Sequence, residues 1–124
     1  MKVGDSASLT RRYTSEDIAA FASLAGVAPE TIRDVPEPLI GALFSYLLGV
    51  ELPGSGTNYL KQELTFAVPV PLDASVTANV AITRLRPDKH LCDLATTLTD
   101  ADGRTRATGR ALVLVKDVDA AIEA

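Results

Sequence analysis

The chain has 124 residues, 47% hydrophobic and 23% charged, which suits one folded domain and excludes a disordered chain. A net charge of −4 with no basic stripe argues against nucleic acid as the main partner. One cysteine, Cys92, and one histidine, His90, exclude an intrachain disulfide and leave too few ligands for a zinc or other transition-metal site. No cofactor is expected. The opening MKVGDSASLTRRYT has no signal-type apolar run and no other run approaches a membrane span, so a soluble, cytoplasmic protein is expected.

In chain order, Val3 to Thr14 alternate weakly and read as an edge strand or extended arm. Thr14 with Asp17 three residues later has the spacing of a capping box. Ile18, Phe21, Ala22 and Ala25 then share one face up to Gly26, which predicts a short amphipathic helix over 15–25. Val27 to Val35 has no period and reads as a loop. The stretch from Asp34 to Gly49 follows, with Leu39, Ile40, Leu43, Phe44, Leu47 and Leu48 apolar on more than one side, as in a helix enclosed by protein. Asp34 and Glu37 have capping-box spacing at its start, Gly49 ends it, and Gly41, Ser45 and Gly49 form a small-residue stripe where a strand or ligand can come close.

After the loop VELPGSGTN, Leu60, Gln62, Leu64, Phe66 and Val68 share one strand face and Tyr59, Lys61, Glu63 and Thr65 the other. Gln62 is the polar member of the apolar face. A turn at Pro69 to Asp73 precedes a second strand through Val76 to Thr83. Pro87 to Lys89 turn into a third, about His90 to Thr99, and Asp102-Gly103 into a fourth, about Arg104 to Lys116. Residues 1–116 thus form one domain, and 117–124 a short acidic tail expected to fray.

This order, with a long antiparallel run enclosing a central helix, is similar to an α+β hot-dog fold. VGDSASLTRRYTSEDIAAFASLAG resembles the opening of MaoC-like (R)-specific enoyl-CoA hydratases. LFSYLLGVELPGSGTNYLKQELTFAVPV resembles their core helix, exit loop and next strand. The resemblance implies a dimer acting on thioesters of coenzyme A or acyl carrier protein, with the acyl chain near the core helix. It also implies an Asp and a His in a G-D-x-N-P-x-H loop, and a His-Gly pair whose backbone N–H polarises the thioester carbonyl. Here the Asp position is Val27, Pro29 is kept, the His falls at or near Thr31, the following loop is shortened, and Pro36 and Glu37 stand at the His-Gly pair. Ser45 matches a core-helix serine of the family site.

The resemblance therefore implies an acyl-thioester or polyketide-like pocket with repurposed acid–base chemistry: dehydration, isomerisation or cyclisation. Asp34 and Glu37, expected to be partly buried, are the candidate acid and base, with Tyr46 a catalytic hydrogen-bond donor. The alternative for the carboxylates is simple capping. Ser45, Tyr59, Gln62 and Gly41 are the candidate substrate-binding residues, with close packing for Ser45 and Gly41, a core role for Tyr59 and a hydrogen bond to a loop carbonyl for Gln62 as their structural alternatives, and Tyr13 is a further possible donor. Lys61, Arg84, Arg86, Arg104 and Arg106 are candidates for coenzyme A phosphates, against a reading as solvated faces. His90 reads as a solvent-facing turn residue. Two other functions stay open: a non-catalytic subunit pairing with an active hydratase subunit, and an acyl-CoA-binding module without turnover.

Overall fold

Thr14 starts the first helix as its spacing signals. Its hydroxyl accepts the Asp17 N–H at 3.3 Å and Asp17 Oδ2 accepts the Thr14 N–H at 2.9 Å, the complete capping box. In the computed structural model, which describes residues 1–119 and 122, α1 runs Ser15–Ala25 and ends at Gly26, whose φ of 74° glycine adopts at little cost. Ile18 and Ala22 are its buried residues.

Five strands follow the turn signals: β1 (Ser6–Arg12), β2 (Asn58–Phe66), β3 (Ser75–Arg86), β4 (Leu91–Asp100) and β5 (Thr105–Leu114). They form one antiparallel sheet in the order β1-β3-β4-β5-β2. The second helix, α2 (Glu37–Tyr46), lies on its inner side, packed against β3. Ile40, Leu43, Phe44, Leu47 and Leu48 meet the inward rows of the sheet, among them Val80, Ile82, Leu94, Leu98 and Val113. Burying each such side chain contributes about 1.5–3 kcal/mol. This is the α+β hot-dog architecture, a curved sheet with one helix in its hollow. No helix among the described residues is long and apolar enough to cross a membrane.

Four local expectations are corrected. The Asp34/Glu37 capping box does not form, because Pro36 is the N-cap residue and no side chain caps α2; Asp34 instead makes an isolated bridge to Pro71. Gly49 does not end the helix: the chain continues as one wider turn over Leu47–Glu51, closed by the Leu52 N–H to Leu47 O at 2.8 Å. A β-bulge at Leu60 shifts the register so that Tyr59 pairs with Val113 and Lys61 with Leu112. Tyr59 therefore shares the inner face with Gln62, Leu64 and Phe66, and Leu60 is left exposed. Finally, Val118 and Ile122, placed in the fraying tail, are partly buried against the core; residues 120, 121, 123 and 124 of that tail lie outside the described residues.

On the outer face Asp93, only 8% exposed, sits between the Arg86 and Arg110 guanidiniums at 2.8 and 3.2 Å. Two cations around one buried carboxylate meet the condition for burying charge, a partner with hydrogen bonds.

Glycine is required at position 109. It pairs with Leu64 across β5–β2, and a Cβ there would run into the Glu63 carbonyl. Gly41 is the opposite case, with nothing within 4 Å of the space a Cβ would fill. Gly109→Ala should lower stability by about 1–3 kcal/mol, while Gly41→Ala should raise it by about 0.5–1 kcal/mol through helix propensity. Thermal melts of the two variants check both signs. An unshifted Gly109→Ala midpoint would mean that β2 yields without cost.

Candidate functional site

At about 100° per residue α2 offers three faces to its surroundings. The face carrying Ile40, Phe44 and Leu47 is buried on the sheet. Leu39, Leu43 and Tyr46 form one flank, which meets Leu9, Arg11 and Tyr13 at the β1 edge. The other flank, the ridge Glu37, Gly41 and Ser45, is accordingly turned toward the β5–β2 half. Glu37 confirms this direction, since it shares a cavity of ≈ 300 Å³ with Phe66, Ala67 and Val68 at the end of β2.

The ridge and the inner face of β2 thus lie toward one side of α2, the trough side. Gly41 has open space above it and Ser45 is exposed. Across the trough Leu64 and Phe66 are half-buried and Tyr59 is 38% exposed. Gln62 Nε2 is buried there with no hydrogen-bond partner, which costs about 1–3 kcal/mol unless a ligand or a second chain supplies an acceptor. Burial pushes the Tyr59 phenol up to about 12 from 10.0, and the Gln62 side chain beside it offsets part of that rise. The two groups are near neighbours, but no hydrogen bond of ordinary length closes on Gln62 Nε2. The sequence pairs Gln62 with Leu60 and puts Tyr59 on the outer face; the bulge reverses both placements and brings the phenol to the amide.

At the head of the trough stand Asp34 and Glu37. Both are exposed, not buried among Val35, Leu39 and Ile40 as expected, because the Val35 N–H to Val70 O bond at 2.8 Å turns Val35 inward and its neighbours out. They line one cavity together. Pro36 and Pro38 leave few donors at this helix start; Leu39 N–H is used by Pro36 O at 3.0 Å, and the Glu37 N–H has no acceptor among the described residues. Tyr46 does not join them. Nine residues separate it from Glu37, a rotation of about 180° and a rise of about 13 Å, so it stands on the other flank.

The loop positions that the resemblance matches to the family's Asp and His, Val27 and Thr31, place no acid–base pair here. Val27 is exposed, and the Thr31 hydroxyl donates to Ala28 O at 2.6 Å. His90 is the exposed residue at the end of the Pro87–Lys89 turn, with φ 55°. Of the basic candidates, Arg86 is committed to Asp93, Arg106 to Asp100 at 3.0 Å and Pro69 O at 2.7 Å, and Lys61 to Glu63 at 3.5 Å. Arg84 and Arg104 are exposed, with no ion pair among the described residues.

The β1 flank is what sequence reasoning passed over. Leu9, Arg11, Tyr13, Leu39, Ala42, Leu43 and Tyr46 line a cavity of ≈ 480 Å³. Its signal was available: Leu9-x-Arg11-x-Tyr13 puts an arginine on the apolar side of an edge strand.

No family model matches the chain. It is 37% identical over 126 residues to an (R)-specific enoyl-CoA hydratase of Aeromonas caviae, covering 91% of this chain and 94% of that protein. It is 35% identical over 128 residues to an (R)-specific enoyl-CoA hydratase of Rhodospirillum rubrum, covering 93% and 88%. Among solved structures, the (R)-hydratase from A. caviae involved in PHA biosynthesis superposes with a TM-score of 0.82 at 37% identity, covering 91% of this chain and 96% of that one.

The perturbed phenol can be tested directly. Between pH 10 and about 12 the unfolded Tyr59 ionises while the folded one keeps its proton. Its contribution to stability is therefore complete below pH 10 and is lost as pH rises to about 12. Tyrosinate absorbance should show a late step near pH 12 that Tyr59→Phe removes. Loss of a step near 10 instead would place the phenol in open solvent.

Proposed function

The chain belongs to the (R)-specific enoyl-CoA hydratases, MaoC-like proteins of the hot-dog fold, and on that premise we propose that it is a lyase or isomerase acting on acyl thioesters of coenzyme A or acyl carrier protein. The observation that carries the reading is the buried Gln62 Nε2, without a hydrogen-bond partner, on the inner face of β2, the side toward which the Gly41–Ser45 ridge is turned. A thioester or β-oxygen is the acceptor such a donor lacks, and the half-buried apolar wall of Leu64 and Phe66 suits an acyl chain.

In this reading the thioester carbonyl takes the Glu37 N–H, where the helix dipole favours developing negative charge. One carboxylate of the Asp34–Glu37 pair removes the proton α to the carbonyl, giving an enolate on the thioester oxygen. The other delivers a proton: to the departing β-hydroxyl in dehydration, or to the γ-carbon in isomerisation. Ring closure on the enolate is the cyclising variant. Ordinary hydration by the family's Asp and His is not the route, because Val27 cannot carry a proton and the Thr31 hydroxyl is held by Ala28 O.

A homodimer completes the site. β2 is an edge strand with exposed Tyr59 and Leu60, and a second copy laid along it covers the trough and removes water from the two carboxylates. Tyr46, on the far flank of its own helix, takes no part within one chain.

A second reading rests on the same two carboxylates. Asp34 and Glu37 are exposed, and no hydrogen bond or ion pair among the described residues orients either side chain, which fits a non-catalytic subunit that shapes the acyl site of an active hydratase subunit. A module that binds acyl-CoA without turnover is its simplest form.

Crotonyl-CoA and 3-hydroxybutyryl-CoA serve as probes, followed by enoyl-thioester absorbance. Glu37→Gln and Asp34→Asn should each lower kcat by about a hundredfold or more with the melting temperature unchanged. Full turnover in both variants removes the carboxylates from the mechanism. Saturable crotonyl-CoA binding without turnover by the wild-type protein, gained only on adding an active hydratase subunit, establishes the second reading.

A further inference from the structure

The larger cavity lies on the flank of α2 away from the trough. Its body is apolar, built by Leu9, Leu39, Ala42 and Leu43, and a smaller cavity of ≈ 210 Å³ shares Arg11, Tyr13 and Leu39 and extends it to Phe21 and Leu24 of α1. At ≈ 480 Å³ the main chamber falls in the range that holds small ligands. Because β1 and β2 are the two opposite edges of the sheet, a second copy seated on β2 leaves this groove open.

Its polar groups narrow the ligand. The Arg11 guanidinium is held over the Tyr13 ring, 5.3 Å from its centroid. Its one ion pair among the described residues is long, 3.9 Å to Asp17 Oδ1, since the same carboxylate is bound into the Thr14 cap through Oδ2. The guanidinium fork is therefore preorganised and keeps donors to spare. The Tyr13 hydroxyl donates to Leu39 O at 3.3 Å, and Tyr46, 48% exposed, brings a second phenol to the rim. A single arginine over an apolar chamber matches one carboxylate on a hydrocarbon body; a phosphate or pyrophosphate would call for more cations, and a wholly apolar ligand would leave the fork unanswered.

We infer that the groove between β1 and α2 is a second ligand site, separate from the trough, which binds a small apolar carboxylate with its carboxylate on Arg11 and its hydrocarbon body along Leu9, Leu39 and Leu43. Tyr46 belongs to this site, where its hydroxyl is the second donor to the carboxylate.

Octanoate is the probe and octanol its neutral counterpart, titrated into the full chain with amide chemical shifts followed by NMR. Octanoate should bind saturably with shifts centred on Arg11, Tyr13, Leu39, Ala42 and Tyr46, and octanol about tenfold or more weaker. Arg11→Gln should reduce octanoate affinity to that of octanol, and Ala42→Phe, which fills the chamber from an exposed helix position, should abolish binding of both. Glu37→Gln should leave octanoate binding unchanged, which separates this site from the trough. Absence of saturable binding, equal affinity for octanoate and octanol, or shifts confined to β2 and Gly41–Ser45 would each overturn the inference.

Discussion

One helix has to fill the hollow of five strands, and it is too narrow. Five strands span about 19 Å across the sheet, whereas a helix with its side chains is about 10–12 Å wide. α2 meets this mismatch by seating Ile40, Phe44 and Leu47 near the middle and leaving space on both sides. The β1 space is narrowed by α1 and by Tyr13, which is buried and tied to the helix through Leu39 O. On the β2 side Tyr59 stays 38% exposed on the inner face, Ser45 is exposed, and a Cβ on Gly41 would meet nothing within 4 Å.

The same geometry separates the chemistry. Residues three or four apart along α2 stay on one flank, so Glu37, Gly41 and Ser45 belong together and Leu39, Leu43 and Tyr46 belong together. An acid–base function assembled from Glu37 and Tyr46 would have to cross the helix. The carboxylates at its head are set by backbone, not by side-chain contacts: the Val35–Val70 hydrogen bond and the Asp34–Pro71 bridge pin the chain just before the helix. That anchoring gives the entrance a defined direction while its two acidic side chains stay solvated.

The fold was legible because each element announced itself by period and punctuation. Thr14 and Asp17, Gly26, and Asp102-Gly103 do what their spacing implies, and the alternation of Val76, Ala78, Val80 and Ile82 names the buried row of β3. The candidate site was legible only in part. Asp34 and Glu37 match a capping box in spacing, yet Pro36 occupies the position from which a cap would act. The pairing of Tyr59 with Gln62 depends on a single extra residue that no alternation rule reveals. The arginine on the inward side of β1 was visible as an anomaly of the same kind as Gln62, a polar group where the pattern asks for an apolar one.

The bulge at Leu60 has a consequence for how this site can vary. Side chains in a strand alternate, so what faces the helix beyond position 60 depends on whether the count of residues is odd or even. Point substitutions along β2 change the chemistry of the wall one group at a time. Losing Leu60 would leave Tyr59, Lys61 and Gln62 in unbroken alternation opposite Val113, Leu112 and Ala111, so the phenol keeps its inward place; straightening the bulge at constant length is what would turn it to solvent. The phenol's inward place thus rests on the pairing of Tyr59 with Val113, and the extra residue between Tyr59 and Lys61 is one the strand could lose without exchanging its two faces.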